Sequence, residues 1–146
     1  MKIEVKIDDS CAEPKIVIMT DRMTDEVNDI IDRLSEKQPQ MIAGFRDGQA
    51  TLLDATRIYR VYASGGKVYA ETADGTYILR MRLYEAEQRL TGRTFVRISN
   101  SEVINLKKVK GFDLSFAGTI CVSLSNGSVT YVSRRYVSKI KQLLEI

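Results

Sequence analysis

Phe95-Val96-Arg97-Ile98-Ser99-Asn100-Ser101-Glu102-Val103-Ile104-Asn105-Leu106 places two short apolar runs, 95–98 and 103–106, on either side of a polar triplet. Runs this short, bounded by Ser and Asn, read as two strands, or a strand and a turn, with Ser99-Asn100-Ser101 as the connection. The same grammar extends in both directions. Upstream, residues 41–46 and 50–53 flank Asp47-Gly48, and residues 58–63 and 68–72 flank Ser64-Gly65-Gly66-Lys67. Asp74-Gly75 then leads into 76–80. Asx-Gly and Gly-Gly pairs suit tight hairpins because glycine adopts positive φ at little cost. Leu83, Ala86, Glu87 and Leu90 fit a short helix. Downstream, 110–114 and 119–124 flank Ala117-Gly118, and Asn126-Gly127 opens a hairpin into 129–132. Ser133 stands where it can cap a last helix with Tyr136, Val137, Ile140, Leu143 and Leu144 on one side. Many short strands with Gly-containing turns predict a mainly β domain, a β-rich α+β fold.

The first 46 residues read differently. Ile3, Val5 and Ile7 alternate with Lys2, Glu4 and Lys6, the period of a half-buried strand, and 15–19 form a second strand candidate after Pro14. Thr24 precedes Asp25-Glu26, and Val27, Ile30, Ile31 and Leu34 follow at helical spacing. The spacing predicts an amphipathic helix from Thr24 to about Lys37, stopped by Pro39. The expected organisation is a strand-strand-helix unit over 1–46 and a β domain over 47–146, packed together without a flexible linker.

Composition narrows the function. At 44% hydrophobic and 28% charged residues the chain should fold, and 146 residues suffice for one domain plus a small appended unit. No apolar run is long enough to span a bilayer and the N-terminus lacks a signal-peptide pattern, so a cytoplasmic protein is expected. Cys11 and Cys121 are expected as free thiols. There is no histidine, which excludes His-dependent zinc sites and Ser-His or Cys-His nucleophile pairs. No Walker loop or Gly-x-Gly-x-x-Gly run occurs. The expectation is a protein with no catalytic activity, cofactor or metal.

Charge is unevenly distributed. Residues 1–46 hold 7 Lys/Arg and 10 Asp/Glu, residues 47–91 hold 6 and 6, and residues 92–146 hold 9 and 3. The balance runs from −3 through zero to +6. A basic last third suits a polyanion-binding surface.

The quoted stretch resembles the signature of the LytTR family: Phe-x-Arg, a polar triplet ending in Ser, then Val-x-Leu or Val-Asn. Val132-Ser133-Arg134-Arg135-Tyr136 resembles the family's terminal Val-Ser-Arg signature, and the intervening hairpins and short helix occur in matching order over about 48–144. The resemblance implies an elongated arrangement of small antiparallel sheets with short helices, which reaches successive major grooves through loops between strands. It implies a sequence-specific, double-stranded DNA-binding transcription regulator of bacterial type, without a receiver domain. Three places correspond to the family's DNA-contacting positions: Gly66-Lys67, Ser99-Asn100, and Ser133-Arg134-Arg135. Lys67 beside two glycines lets backbone approach a phosphate that the ammonium neutralises. Asn100 offers a planar donor and acceptor suited to adenine, and Arg134 a forked donor set suited to guanine or phosphate. Two arginines in the first turn of a helix oppose its dipole unless an anion sits nearby.

Other readings stand beside these. Lys67 is also read as a solvated turn lysine, Asn100 as a residue closing its own turn, and Arg97 and Asn105 as structural. The two arginines also have acids such as Glu102 to reach back to. Ser99 departs from the histidine-containing choice frequent in the family. A homodimer on DNA is expected, with the acidic N-terminal unit mediating self-association or binding a regulatory partner, a membrane protein in systems of this short type. The rival class is a β-rich protein–protein interaction module without nucleic-acid binding. Single-stranded RNA binding is a third reading, which would call for exposed aromatics interleaved with basic residues.

Overall fold

The computed structural model describes residues 1–34, 41–90 and 94–146. The chain divides into two compact units, residues 1–37 and 38–146. The expected boundary at 46/47 therefore lies inside the second unit, within its first hairpin.

In the first unit, helix α1 spans Asp25–Leu34. Thr24 caps it as expected: its Oγ1 accepts from the Val27 N–H at 3.3 Å, and its carbonyl accepts from the Asn28 N–H at 3.0 Å. Asp25 and Glu26 suit the positive end of the helix dipole. The expected helix end at Lys37 and the stop at Pro39 lie outside the described residues. Residues 2–7 and 15–19 form no strand and are exposed throughout, which corrects the strand-strand-helix expectation. Alternation supplies a face, but a strand also needs a partner backbone for its N–H and C=O groups.

The second unit is mostly strand. Its described residues hold ten strands: β1 Met41–Arg46, β2 Gln49–Asp54, β3 Arg60–Ser64, β4 Lys67–Thr72, β5 Gly75–Leu79, β6 Phe95–Ser99, β7 Glu102–Asn105, β8 Val109–Asp113, β9 Ile120–Leu124 and β10 Val129–Val132. Helix α2 is Leu83–Leu90 and helix α3 is Arg134–Leu143. The first seven strands form one sheet in the order β2-β1-β5-β4-β3-β7-β6, and the last three form another in the order β10-β9-β8. All pairings are antiparallel. Turn chemistry sets the registers. Asp47 and Gly48 have φ of 53° and 75°, and Gly65 and Gly66 have 57° and 79°. Two consecutive positive φ values match the right-handed twist of the flanking strands. The strand expected from Ile58 starts at Arg60 instead. Asp54 accepts from the Thr56 N–H at 2.9 Å and caps a single 3-10 turn, Ala55–Arg57, ahead of it.

Two apolar clusters hold the unit together. One packs the large sheet around α2, with Ile42, Ile58, Val61, Ala70, Leu79 and Leu90 buried. The other joins β6 and β7 to the small sheet and α3 through Ile98, Ile104, Ile120, Val122, Val132 and Ile140. β1 belongs to this fold: a Cβ on Gly44 would lie 2.6 Å from Leu53 Cδ1 and 2.8 Å from Tyr77 Cβ. Among the described residues no helix is long and apolar enough to cross a membrane.

Candidate nucleic-acid interface

The β6–β7 turn is closed by serine and arginine, not by Asn100. Ser99 Oγ accepts from the Ser101 N–H at 3.2 Å. Arg97 donates through Nε to the Ser99 carbonyl and through Nη2 to the Asn100 carbonyl, each at 2.6 Å. Its Nη1 meets Glu87 of α2 at 3.2 Å. Arg97 thus takes the structural role. Its bonds leave the exposed Asn100 side chain with one contact among the described residues, at 3.4 Å from the Tyr136 hydroxyl. A planar amide held on a rigid turn, with its Nδ2 donors unspent, suits a base edge.

Asn105 is also structural. It is 1% exposed; its Nδ2 donates to the Ile58 carbonyl at 2.9 Å, and its Oδ1 accepts from the Thr94 hydroxyl at 2.7 Å and the Lys107 N–H at 3.1 Å. It ties β7 to the segment entering β3 and caps the 3-10 turn Leu106–Lys108.

The Ser133 junction sits beside this turn. The Ser133 N–H donates to the Ile98 carbonyl at 2.9 Å, and α3 begins at the next residue. Ser133 occupies the N-cap position, but its side chain makes no capping bond. The Tyr136 N–H turns back to the Ser133 carbonyl at 2.9 Å, while the Arg134 and Arg135 N–H groups keep donor capacity beside two exposed guanidinium groups. Among the described residues neither Arg134 nor Arg135 forms an ion pair. Glu102 is engaged elsewhere, 3.3 Å from Arg60 Nη1. Arg134 lies along the β8–β9 turn, where a Cβ on Gly118 would come within 3.0 Å of its Nε.

The β3–β4 hairpin reaches the same region. The Ala63 N–H donates to the Ser101 carbonyl at 2.8 Å, which sets the hairpin tip against the triplet. Gly66 and Lys67 are exposed at that tip, and Lys67 forms no ion pair among the described residues. Lys67 and Arg97 line a groove of about 810 Å³ with Arg80, Arg82 and Tyr84. The structure thus brings the three expected places together: the triplet bonds directly to the hairpin and to the start of α3. Arg80 and Arg82, which sequence reasoning did not single out, lie along this groove, and Arg80 also stacks 3.9 Å over the Phe45 ring. Their signal was two arginines just ahead of α2, where the helix dipole disfavours cations.

A second network ties the two sheets behind this region. Arg60 Nε and Nη2 meet the Glu71 carboxylate at 3.2 and 3.3 Å. Asn126, on the β9–β10 turn, donates to Glu71 Oε2 at 3.1 Å. Burial works against ionisation of Glu71, but bonds from Asn126 and Arg60, the Arg60 charge and a bond with Ser128 together lower its pKa below the ordinary 4.5. Burial pushes the Glu102 carboxyl above 4.5, opposed by Thr130 and Arg60.

The sequence model of the LytTr DNA-binding domain matches residues 48–145. Proteins designated uncharacterized HTH-type transcriptional regulators in Staphylococcus aureus strains NCTC 8325 / PS 47 and COL are each 30% identical over 147 residues, covering 100% of this chain and 99% of theirs. A relative in strain MRSA252 is 29% identical over the same span. Among the described residues no two helices follow one another as in the helix-turn-helix of that designation: α1 and α2 are separated by β1–β5, and α2 and α3 by β6–β10. The solved LytTr DNA-binding domain of a putative methyl-accepting/DNA response regulator from Bacillus cereus shares the fold, with a TM-score of 0.70 at 21% identity, over 75% of this chain and 100% of that one. With hairpins, triplet and α3 in the family's order and its sequence model matching most of the chain, this protein belongs to the LytTR family of DNA-binding domains.

Proposed function

We propose that this protein is a cytoplasmic, sequence-specific transcription regulator that docks on double-stranded DNA through Lys67, Asn100, Ser133, Arg134 and Arg135. The observation that carries this reading is the junction at which Ser133 bonds to Ile98 beside a turn whose Asn100 amide keeps its Nδ2 donors unspent. One base-reading group and two cations converge there. Asn100 reads a base edge in the major groove, and Arg134, leading out of the Ser133 turn, reads a second. Arg135 and the α3 N-terminus hold phosphate, and Lys67 with the Gly66 backbone holds the next. Ser99 shapes the turn. Arg80 and Arg82 extend the positive surface along the groove. One such surface covers one half-site, so two copies occupy a two-part operator. Residues 1–37 supply the assembly or partner contact, and the protein performs no catalysis.

Selection of bound duplexes from a random library tests this. A two-part motif is the expected product; enrichment of no motif would leave the regulator reading without support.

A further inference from the structure

The exposed stretch at residues 2–7 carries a self-complementary pattern. Ile3, Val5 and Ile7 are 83%, 83% and 98% exposed, and the stretch belongs to no strand among the described residues. Three large apolar side chains at a period of two make a sheet face that lacks a partner strand. A turn follows directly: the Cys11 N–H bonds to the Asp8 carbonyl at 3.2 Å, and Asp8 Oδ1 takes the Ser10 N–H at 3.0 Å. The turn ends the stretch at Asp8.

We propose that residues 2–8 pair antiparallel with the same residues of a second copy of this chain, about a two-fold axis through Val5. Charge and face select that register. Residues directly opposite in an antiparallel pair share a face, so an axis between two residues would set Ile3 against a charged side chain. An axis through Glu4 sets Glu4 against Glu4 and Lys2 against Lys6. One through Lys6 sets Lys6 against Lys6 and Glu4 against Asp8. One through Ile3 leaves Lys6 and Ile7 unpaired, and one through Ile7 sets Val5 against Asp9. An axis through Val5 sets Ile3 against Ile7 and Val5 against itself on the apolar face. On the polar face it sets Lys2 against Asp8 and Glu4 against Lys6, each pair made twice. A parallel, in-register pair would stack like charges at every polar position. A two-fold interface requires this self-complementarity. An isolated two-stranded ribbon is marginal in water, so its apolar face needs cover. Residues 16–19 and the exposed side of α1, which carries Leu34, supply it within the same unit. The pairing rests on the proposed assembly role of residues 1–37 and forms without DNA, so its failure leaves the DNA-reading surface standing.

Sedimentation of the full-length protein without DNA tests the register. The wild type is expected to be a dimer. Glu4→Lys and Lys6→Glu alone each create two like-charge pairs and should raise the dimer dissociation constant about tenfold or more. The Glu4→Lys/Lys6→Glu double variant should recover wild-type affinity, and an equimolar mixture of the two single variants should form heterodimers. In a Cys11→Ser/Cys121→Ala background, Val5→Cys should cross-link to itself under mild oxidation far faster than Lys2→Cys. Unchanged thermal unfolding of the β domain would show that no variant acts by unfolding it. A monomeric wild type, single variants that dimerise normally, or a double variant that does not recover would each overturn the proposal.

Discussion

At the scale of single residues, the side chains that shape the triplet turn are distinct from the one proposed to read DNA. Ser99 and Arg97 spend their polar atoms on the turn, and Asn100 does not. Asn100→Ala is therefore expected to keep the fold and lose about 1–3 kcal/mol on the preferred site, relaxing preference at one base pair with little change in salt dependence. Arg135→Ala should weaken specific and non-specific duplexes alike and reduce the magnitude of the log–log salt slope by about one. Arg134→Ala should behave as Asn100→Ala does, as a loss of discrimination. Titrations on the preferred and a scrambled duplex at several salt concentrations distinguish the three. Normal binding by both arginine variants would place the DNA-facing surface elsewhere. Asn105→Ala is the contrast. It strands the buried Ile58 carbonyl, removes the partner of the half-buried Thr94 hydroxyl and should cost about 2–4 kcal/mol of stability, read by urea unfolding.

At the scale of elements, two features hold the sheets in place. Gly44 admits close approach of β1 to Leu53 and Tyr77, so Gly44→Ala should destabilise by about 1–3 kcal/mol through overpacking. The Arg60–Glu71–Asn126 link and the Arg60–Glu102 pair join β3, β4 and β7 to the small sheet, and their carboxylates titrate in opposite senses. Glu71 has a lowered folded pKa, so its contribution is full above 4.5 and is lost as the pH falls through that lowered value. Glu102 has a raised folded pKa, so the folded chain keeps this proton to higher pH than the unfolded chain. Its contribution declines as the pH rises from 4.5 through the raised value. Glu102→Gln should remove that decline. Urea unfolding between about pH 4 and 8 should show the variant gaining stability relative to wild type as pH rises. A constant difference would mean that Glu102 does not titrate in this range.

At the scale of the whole molecule, the three proposed contact places are expected to act as one polyanion site. A surface built on Lys67, Arg134, Arg135 and nearby lysines should neutralise about 4–7 phosphates per protomer, giving a log–log salt slope of about −4 to −6. A slope near zero would remove the electrostatic part of the account. Both apolar clusters lie within residues 42–144. Deleting residues 1–37 is therefore expected to leave the β domain folded and single-site binding largely intact, while abolishing cooperative binding to a two-part operator. Unchanged cooperativity in a soluble truncated protein would rule out the assembly role.

The sequence by itself determined the β domain. Asx-Gly and Gly-Gly pairs and period-two apolar runs act over a few residues, so local chemistry was enough to place β1–β5, α2, β9, β10 and α3 near their observed bounds. The family resemblance likewise rested on residues close together in sequence. Other outcomes depended on distant partners. β1 was assigned to the first unit although its Asp47-Gly48 turn already tied it to β2; its other neighbour, β5, lies far along the chain and left no local pattern. Residues 2–7 were read as a strand because alternation is visible in sequence and the absence of a pairing backbone is not. Whether Asn100 closed its turn or faced outward was settled by Arg97 reaching the turn carbonyls. Tertiary structure also set Arg80 and Arg82 beside Lys67. Hydrogen bonds and close contacts between residues far apart in the chain leave no local pattern, so the fold alone decided them.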